Sequence, residues 1–234
     1  MKKMISRRDF LKVAGFSAAA LGLTACGGSG SSTAASTGST AASTGSAAAS
    51  GASVTLKLGF STNEEDPRAK GAQQFKEEVE EKTGGAVTVQ LYPSGQLGGD
   101  ADLINSIALD SGTVDIIVTD ASNFATYDAK MGISALPFQF ETFDDAWAFM
   151  DSDIEAAAEE GLLAQNMRVL AHYCNGFRCV TNSKGPINSP ADMNGLLIRT
   201  PENPVIMATM TALGANPQPL SFSELYQALQ QKTY

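Results

Sequence analysis

The chain has 234 residues and a formal net charge of −9 at pH 7. This acidity excludes a nucleic-acid-binding role, which needs a basic surface to meet the phosphate backbone. It does not exclude an anionic ligand, because a pocket inside an acidic protein can be locally positive.

The first predicted element is an export leader over residues 1–25. Five lysines and arginines precede the apolar run 13–23, which is too short to cross a bilayer but has the length of a signal-peptide core. The sequence SRRDFLK at 6–12 resembles the twin-arginine export signal; an ordinary secretion leader with two arginines is the alternative. Removal of this leader, with its net charge of +4, leaves the mature chain near −13.

A lipid attachment site is predicted directly after the leader. Residues 23–26 place small side chains before a cysteine, as in a lipobox, so Cys26 is expected to carry a diacylglyceryl anchor; a stray cysteine beside a cleavage site is the alternative. Residues 27–52 are all Gly, Ala, Ser or Thr and cannot bury enough apolar surface to fold. Residues 26–52 are therefore expected to form a tether with a reach of roughly 25–30 Å, which holds the working domain near a membrane outside the cytoplasm.

The working domain is predicted to begin near Ser53 with alternating strands and helices. Apolar alternation and helical spacing predict, in order, strand 54–59, a helix from 67, strand 87–92, helix 100–109 and strand 114–118. Asp66-Pro67 is the pattern of a helix N-cap followed by proline at the first helical position, and Gly84 is expected to end that helix. The β-α-β-α-β order predicts a parallel sheet with right-handed crossovers.

The second half of the domain is predicted to contain further helices and strands. The patterns predict helices 143–150, 154–166 and 204–213, a helix from Ser221, and strands 169–173, 178–181 and 196–200. The last helix is expected to begin with the capping box Ser221-x-x-Glu224. Because this helix runs to Tyr234 without a following element, the chain is expected to lack part of its second lobe.

Two cysteines and the only histidine lie close together in the sequence. Four residues separate Cys174 from Cys179, and the Asn-Gly pair among them would provide the turn for a disulfide; buried thiols are the alternative. His172, in an apolar predicted strand, is interpreted as a buried, hydrogen-bonded core residue. The three residues lack the spacing of a four-ligand zinc site, and no metal or cofactor is predicted.

Motifs distributed over the whole domain resemble those of the solute-binding subunits of TRAP (tripartite ATP-independent periplasmic) transporters, the DctP-like family. The matching segments are FKEEVEEKTG at 75–84, LYPSGQLG at 91–98, LPF at 136–138, NGFR at 175–178, TN at 181–182, PI at 186–187, DMNGL at 192–196, IRTP at 198–201, LGANP at 213–217 and FSELYQAL at 222–229. No one segment is specific, but their order and spacing together are.

The resemblance implies an α/β, two-lobe fold of the periplasmic-binding-protein type, with a ligand cleft that closes by hinge motion. The first lobe is expected over 53–177 and the start of an incomplete second lobe over 178–234. The protein is expected to capture a small organic acid and to deliver it to a TRAP permease, without catalysis. An asparagine that completes the ligand cage in the family would lie beyond residue 234.

The resemblance also implies a set of ligand-binding residues. Arg199 matches the arginine that clamps the ligand carboxylate, and a planar guanidinium suits a carboxylate in charge and shape. Arg178 matches a second cleft arginine of part of the family, and Phe222 matches an aromatic residue that packs on the ligand. Asp120 and Ser61 match positions that contact polar groups of the ligand in the sialic-acid-binding branch, where an asparagine stands at the position of Ser61.

These residues also have structural interpretations. An arginine at a strand end, such as Arg199, is often solvated or ion-paired. Phe222 shares its helical spacing with Leu225 and Leu229 and would fit a core, while Asp120 would fit a helix N-cap.

Two other classes of function remain as alternatives. One is the binding protein of another transport system, such as an ABC importer, and the IRTP motif at 198–201 argues against it. The other is a secreted enzyme on an α/β fold, but the sequence has no phosphate-binding loop, dinucleotide glycine fingerprint or nucleophile elbow. The candidate ligands are sialic acids, C4-dicarboxylates, keto acids, sugar acids and aromatic acids.

Overall fold

The computed structural model describes residues 53–234, whose first sheet, sheet A, has three parallel strands. These are β1 (Val54–Gly59), β2 (Val87–Tyr92) and β3 (Ile116–Ile117), in the spatial order β2-β1-β3. β1 pairs with β2 over six residues and with β3 over two, so the predicted parallel β-α-β-α-β unit is confirmed. β3 is shorter than the predicted strand.

The predicted leader over 1–25, the lipobox cysteine Cys26 and the tether lie outside the described residues. Within residues 53–234, no helix combines the length and the apolar character that crossing a bilayer requires.

Helices connect and cover the strands. The α-helices of the described part are α1 (Pro67–Lys82), α2 (Asp100–Ala108), α3 (Phe143–Met150), α4 (Asp153–Leu163), α5 (Pro204–Ala212) and α6 (Phe222–Gln230). Shorter 3-10 helices occupy Ala121–Thr126, Ala129–Ala135 and Pro190–Met193.

The ends of α1 follow the predicted local chemistry. The Asp66 Oδ1 atom accepts a hydrogen bond from the Arg68 backbone N–H at 2.9 Å, which satisfies one of the free donors of the first turn. Gly84 and Gly85 follow the helix with φ of 59° and 81°, a left-handed conformation that glycine adopts with little strain. Both the start and the stop of this helix are therefore set by adjacent residues.

Three apolar clusters form the core of the described residues. One cluster joins sheet A to α1 and contains Leu58, Phe60, Ala69, Ala72 and Val89. A second lies among α2, α4 and the 3-10 helices and contains Ile104, Met131, Ala158, Leu162 and Met167. A third lies beside α5 and contains Met193, Met210 and Ala215. These clusters fix the strand ends from which the polar side chains project.

Sheet B pairs β4 (Leu197–Thr200) with β5 (Asn216–Pro219), a strand that the sequence patterns did not predict. Its prolines argue against a strand because proline has no N–H to donate. The structure places them at alternate positions: the N–H groups of Asn216 and Leu220 donate to β4-side carbonyls at 2.7 and 3.1 Å. The two prolines therefore fall where no donor to β4 is required.

The predicted capping box at the start of α6 is wrong. Ser221 is the N-cap residue, but its side chain makes no capping hydrogen bond. Its Oγ atom lies 3.0 Å from the hydroxyl of Ser223 instead. The Ser223 hydroxyl therefore competes with the backbone of the first turn for the Ser221 side chain.

The predicted strands 169–173 and 178–181 are also wrong, since no helix or strand is present from 167 to 188. A strand needs a neighbour that satisfies its backbone donors and acceptors, and this segment joins neither sheet. Side chains hold it instead. Tyr173 donates to the backbone of α1 at 3.1 Å, and Arg178 donates to the loop after β3 at the same distance.

The residues of this segment differ from both sequence interpretations of their chemistry. Cys174 and Cys179 are free and exposed, so neither a disulfide nor a pair of buried thiols is present. His172 is half-buried rather than a core residue, and its Nε2 atom lies 3.2 Å from Oε1 of Glu159. Because the segment pairs with no strand, many of its side chains stay exposed, including those of Leu170 and Phe177.

We predict that the buried carboxyl of Glu155 makes stability fall with rising pH. Burial raises its pKa from 4.5 to about 7, and the negative charge of Glu159 acts in the same direction. Between these values the unfolded chain binds fewer protons than the folded chain, so the free energy of unfolding decreases as the pH rises. The contribution is on the order of 3 kcal/mol.

Urea denaturation of wild type and Glu155→Gln between pH 4.5 and 8 checks this prediction. The variant should gain stability relative to wild type as the pH rises. Glu160→Gln, an exposed position on the same helix, should show no such trend. A pH-independent difference between Glu155→Gln and wild type would refute the assignment.

Candidate anion-binding site

Arg199 stands at the carboxyl end of sheet B, where β4 finishes. Its Nε and Nη2 atoms both donate to the carbonyl oxygen of Leu220, at 2.9 and 2.6 Å. Leu220 directly follows β5, so the neighbouring strand fixes the plane of the guanidinium. Ligands of parallel α/β sheets bind at this end of the strands.

The charge of Arg199 is held in an unfavourable environment. Burial lowers the pKa of its guanidinium, and the positive charge of Arg178 lowers it further, while Asp100 and Glu202 act in the opposite direction. No carboxylate among the described residues forms an ion pair with Arg199. A half-buried cation of this kind is stabilised by an anion from outside the chain.

Arg178 and Asp120 are brought together, as an ion pair at the mouth of the site. The Arg178 Nη2 atom lies 3.1 Å from Oδ2 of Asp120, and the side chains are 52% and 39% exposed. The other oxygen of Asp120 accepts from the backbone N–H of Ser122 at 3.0 Å and from its hydroxyl at 2.6 Å. Asp120 therefore caps a 3-10 helix, as one of its two interpretations predicted, and also pairs with a candidate ligand-binding arginine. Its contact with a ligand stays a prediction.

Phe222 opens α6 and lies between charged groups rather than in a core. None of the residues of α6 is buried, and Phe222 is 42% exposed. The Cζ atoms of Arg199 and Arg68 each lie 5.9 Å from the centroid of its ring, within the range of a cation–π contact. The interpretation of Phe222 as a core residue therefore does not fit the described structure.

Arg68 is a site residue that the sequence analysis missed. It lies in the first turn of α1, and its Nε atom is 3.1 Å from Oδ1 of Asp66. In the sequence, Arg68 follows a helix-capping pair and carries no signal beyond that local role. Only the approach of α6 shows that Arg68 and Arg199 lie over the same Phe222 ring. These two residues and Arg178 are hereafter called the arginine cluster.

Several buried polar groups near the strand ends have no hydrogen-bond partner among the described residues. These include the hydroxyls of Ser61 and Thr200 and the Oδ1 atom of Asp100. Ser61 follows β1, Thr200 ends β4 and Asp100 begins α2. An unsatisfied buried group costs about 1–3 kcal/mol, so these atoms suit polar groups of a ligand. The described contacts do not join Ser61 directly to the arginines.

The loop after β2 closes tightly against the start of α6. A Cβ atom at Gly99 would lie 2.6 Å from Oγ of Ser221, and one at Gly95 would lie 3.3 Å from Cβ of Ser223. The absence of side chains at these two positions lets the N-terminus of α2 approach the residues on either side of Phe222. This contact links the elements that follow sheet A to those that follow sheet B.

An adjoining cavity of about 840 Å³ lies between α1, β3 and the segment 167–175. Its wall is mostly apolar; Arg68 and Asp120 line it, whereas Arg199 and Phe222 do not. Because a small acid needs charged and hydrogen-bonding groups, the arginine cluster is the better candidate site than this cavity.

The chain matches known proteins over nearly all of its described residues. The family model described as bacterial extracellular solute-binding protein, family 7, matches residues 58–233. The 2,3-diketo-L-gulonate-binding periplasmic protein of Escherichia coli is 33% identical over 182 residues, which are 78% of this chain and 55% of that protein. The chain spans about half the length of the curated relatives that it matches.

Solved structures show the same fold. A TRAP periplasmic solute-binding protein from Polaromonas, bound to D-erythronate, has a TM-score of 0.73 and 36% identity over 77% of this chain and 59% of that chain. A sugar acid binding protein from Advenella mimigardefordensis, in complex with galactonate, has a TM-score of 0.73 and 31% identity over 78% and 58%. The expected α/β fold is therefore confirmed.

We predict that Asp120 contributes to stability mainly through its cap and only slightly through its ion pair. Asp120→Ala removes both and should lower the free energy of unfolding by about 1 kcal/mol. Asp120→Asn keeps an acceptor for the Ser122 N–H and should change it by less than about 0.5 kcal/mol, because exposed ion pairs stabilise little. Urea denaturation measures both. Equal losses in the two variants would show that the Arg178 pair dominates.

Proposed function

Because the chain belongs to family 7 of the bacterial extracellular solute-binding proteins, we propose that it captures a small organic acid and delivers it to a TRAP-type membrane permease. The observation that carries this proposal is the half-buried Arg199 guanidinium, which has no carboxylate partner among the described residues. Binding by an ABC-type importer system is the alternative, and no relative reported above favours it.

The proposed binding mode assigns one role to each side chain. The ligand carboxylate pairs with Arg199, whose orientation is fixed by two hydrogen bonds to one carbonyl. Arg178 adds a second positive charge, and its pair with Asp120 keeps it near the site. Phe222 packs against the ligand, and Arg68 holds the Phe222 ring through a cation–π contact. Exclusion of water around the ion pair then strengthens it.

The ligand class that fits best is a hydroxylated monocarboxylic acid, as in the sugar acids. Unpaired hydroxyls at Ser61 and Thr200 and the unpaired carboxylate oxygen of Asp100 provide donors and an acceptor for ligand hydroxyl groups. A second ligand carboxylate would be repelled by Asp100. The relatives described above are named for or bound to acids of this type: diketogulonate, erythronate and galactonate.

We infer binding rather than turnover. The relatives are solute-binding proteins, and the single histidine, His172, pairs with a carboxylate on α4 rather than with a hydroxyl or thiol nucleophile. In the part of the chain that the structure describes, no cluster of three or more His, Cys, Asp or Glu side chains is arranged to hold a metal ion. The proposal needs no cofactor.

The proposed mechanism uses two lobes, 53–177 and 178–234, built on sheet A and sheet B. Arg199 and Phe222 belong to the second, whereas Ser61, Asp100 and Asp120 belong to the first. A ligand that bonds to both sets of residues binds the closed form more tightly than the open form, and this difference in affinity stabilises the closed form. Hinge closure of this kind is common in binding proteins. The closed form is the one proposed to dock on the permease.

The proposed location is outside the cytoplasm, at a membrane face. The leader over 1–25 would direct export, and lipid on Cys26 would anchor the mature chain through the tether 26–52. This would keep the binding domain near its permease. The relatives named as periplasmic proteins support the exported location.

We predict that acid binding depends on Arg199. A thermal-shift panel of erythronate, galactonate, galacturonate, gulonate, succinate, amino acids and neutral sugars should give hits among the sugar acids. A ligand at 100 times its Kd adds roughly 2.7 kcal/mol of stability. Arg199→Ala should abolish the shift, and Arg199→Lys should weaken binding at least about tenfold, because a point charge loses the planar two-nitrogen geometry.

The matched control is Arg168→Ala, which changes an arginine that lines the apolar cavity and should leave the shift unchanged. Hits confined to neutral sugars, or wild-type affinity in Arg199→Lys, would contradict the proposed clamp and favour another transport system.

We also predict that Cys26 anchors the protein. In cells, the wild-type protein should partition with membranes and into the detergent phase, whereas Cys26→Ser should appear in the soluble exported fraction, because several buried acyl chains are lost. Detergent-phase separation followed by mass spectrometry of the N-terminal peptide measures this. An unmodified wild-type peptide would contradict the anchor.

A further inference from the structure

A buried amide connects the segment that follows β4 to the 3-10 helix that follows β3, near the proposed site. Asn203 lies between β4 and α5 and is fully buried. Its Nδ2 atom donates to the carbonyl and the hydroxyl of Ser122, at 3.0 and 2.7 Å. Its Oδ1 atom accepts from the N–H groups of Val205 and Ile206, at 3.0 and 3.1 Å. Both ends of the side chain are therefore satisfied, by different parts of the fold.

Ser122 links Asn203 to the charged residues Asp120 and Arg178 through hydrogen bonds. Its hydroxyl accepts from Asn203 and donates to Oδ1 of Asp120 at 2.6 Å. Asp120 holds Arg178 through its other oxygen at 3.1 Å. An unbroken path of hydrogen bonds thus runs from the loop after Arg199 to the guanidinium of Arg178.

We propose that Asn203 is a positioning residue of the binding site, which orients Arg178 through Ser122 and Asp120 and keeps it in register with Arg199. This inference rests on the proposed function, in which both arginines bind the ligand carboxylate. Asn203 is four residues after Arg199, so the loop that follows the strand of one arginine sets the position of the other.

The chemistry of Asn203 separates this role from simple helix capping. The cap on α5 needs only an acceptor, which serine provides as well as asparagine. The link to Ser122 needs a donor that reaches two oxygen atoms, and an amide supplies two N–H groups. A serine at 203 therefore keeps the cap but is too short to keep the link. Polar networks of this kind act as a unit when every member is satisfied.

The test is a double-mutant cycle between Asn203→Ser and Arg178→Met in the full-length protein. Affinity is measured by isothermal titration with galactonate, or with the panel acid that gives the largest thermal shift. Asn203→Ser should weaken binding about tenfold when Arg178 is present and less than about twofold when Arg178 is Met, because coupled residues are not additive. Urea denaturation of each variant verifies that the binding measurements are made on folded protein.

A second variant covers the case in which Asn203→Ser does not fold. Ser122→Ala keeps the backbone carbonyl that accepts from Asn203 and removes only the hydroxyl step of the path. Ser122→Ala should also weaken binding strongly when Arg178 is present and only slightly when Arg178 is replaced by Met. The control Ser183→Ala, at an exposed position, should not change affinity.

The outcomes distinguish this inference from the function on which it rests. Equal weakening by Asn203→Ser in both Arg178 backgrounds, or wild-type affinity, overturns the positioning role while leaving acid binding intact. Failure of the wild-type protein to bind any acid of the panel, or binding that ignores Arg199→Ala, overturns the proposed function itself and the positioning role with it.

Discussion

The half-buried guanidinium of Arg199 is the constraint around which the other site residues are arranged. Two hydrogen bonds to the Leu220 carbonyl fix its plane, but a carbonyl carries no net charge to offset the burial. Arg178 makes the environment still less favourable for a cation. Such a group lowers the stability of the unliganded chain, and it is retained where an incoming anion relieves the cost. The buried, unpaired oxygens of Ser61, Thr200 and Asp100 also lower the stability of the unliganded chain, and polar groups of a ligand would relieve that cost.

The geometry of parallel sheets explains how residues so distant in sequence meet. Ser61 follows β1, Asp120 follows β3, Arg199 is near the end of β4, and Phe222 starts the helix after β5. The carboxyl ends of parallel strands lie on one edge of their sheet, so each sheet presents its polar residues together. The tight contact at Gly99 and the buried bonds of Asn203 then bring the two edges toward each other.

Local sequence signals predicted the first part of the fold well, because its determinants are local. The Asp66 cap, the Gly84 stop and the alternation in β1 each act within a few residues. The wrong strand predictions arose where a distant partner decides whether a segment joins a sheet. The apolar segment 169–173 has β-strand composition but joins neither sheet, whereas the proline-containing β5 pairs because its donors fall at the right alternate positions.

The candidate site was predictable to the extent that its residues belong to motifs. Arg199, Arg178 and Phe222 lie in matched segments, and the structure brings them together, although their ligand contacts stay a prediction. Arg68 and Asn203 were not predictable in this way. Each looks like part of a helix start in the sequence, and only the packing of α6 and of the 3-10 helix at Ala121–Thr126 against them reveals a second partner.

A crystal structure of the full-length protein with a bound sugar acid would show directly where the ligand carboxylate lies. We expect it within hydrogen-bonding distance of the Arg199 guanidinium, beside the Phe222 ring, with Arg178 still held by Asp120. A ligand bound in the apolar cavity beneath α1, or an acid group turned away from Arg199, would contradict it.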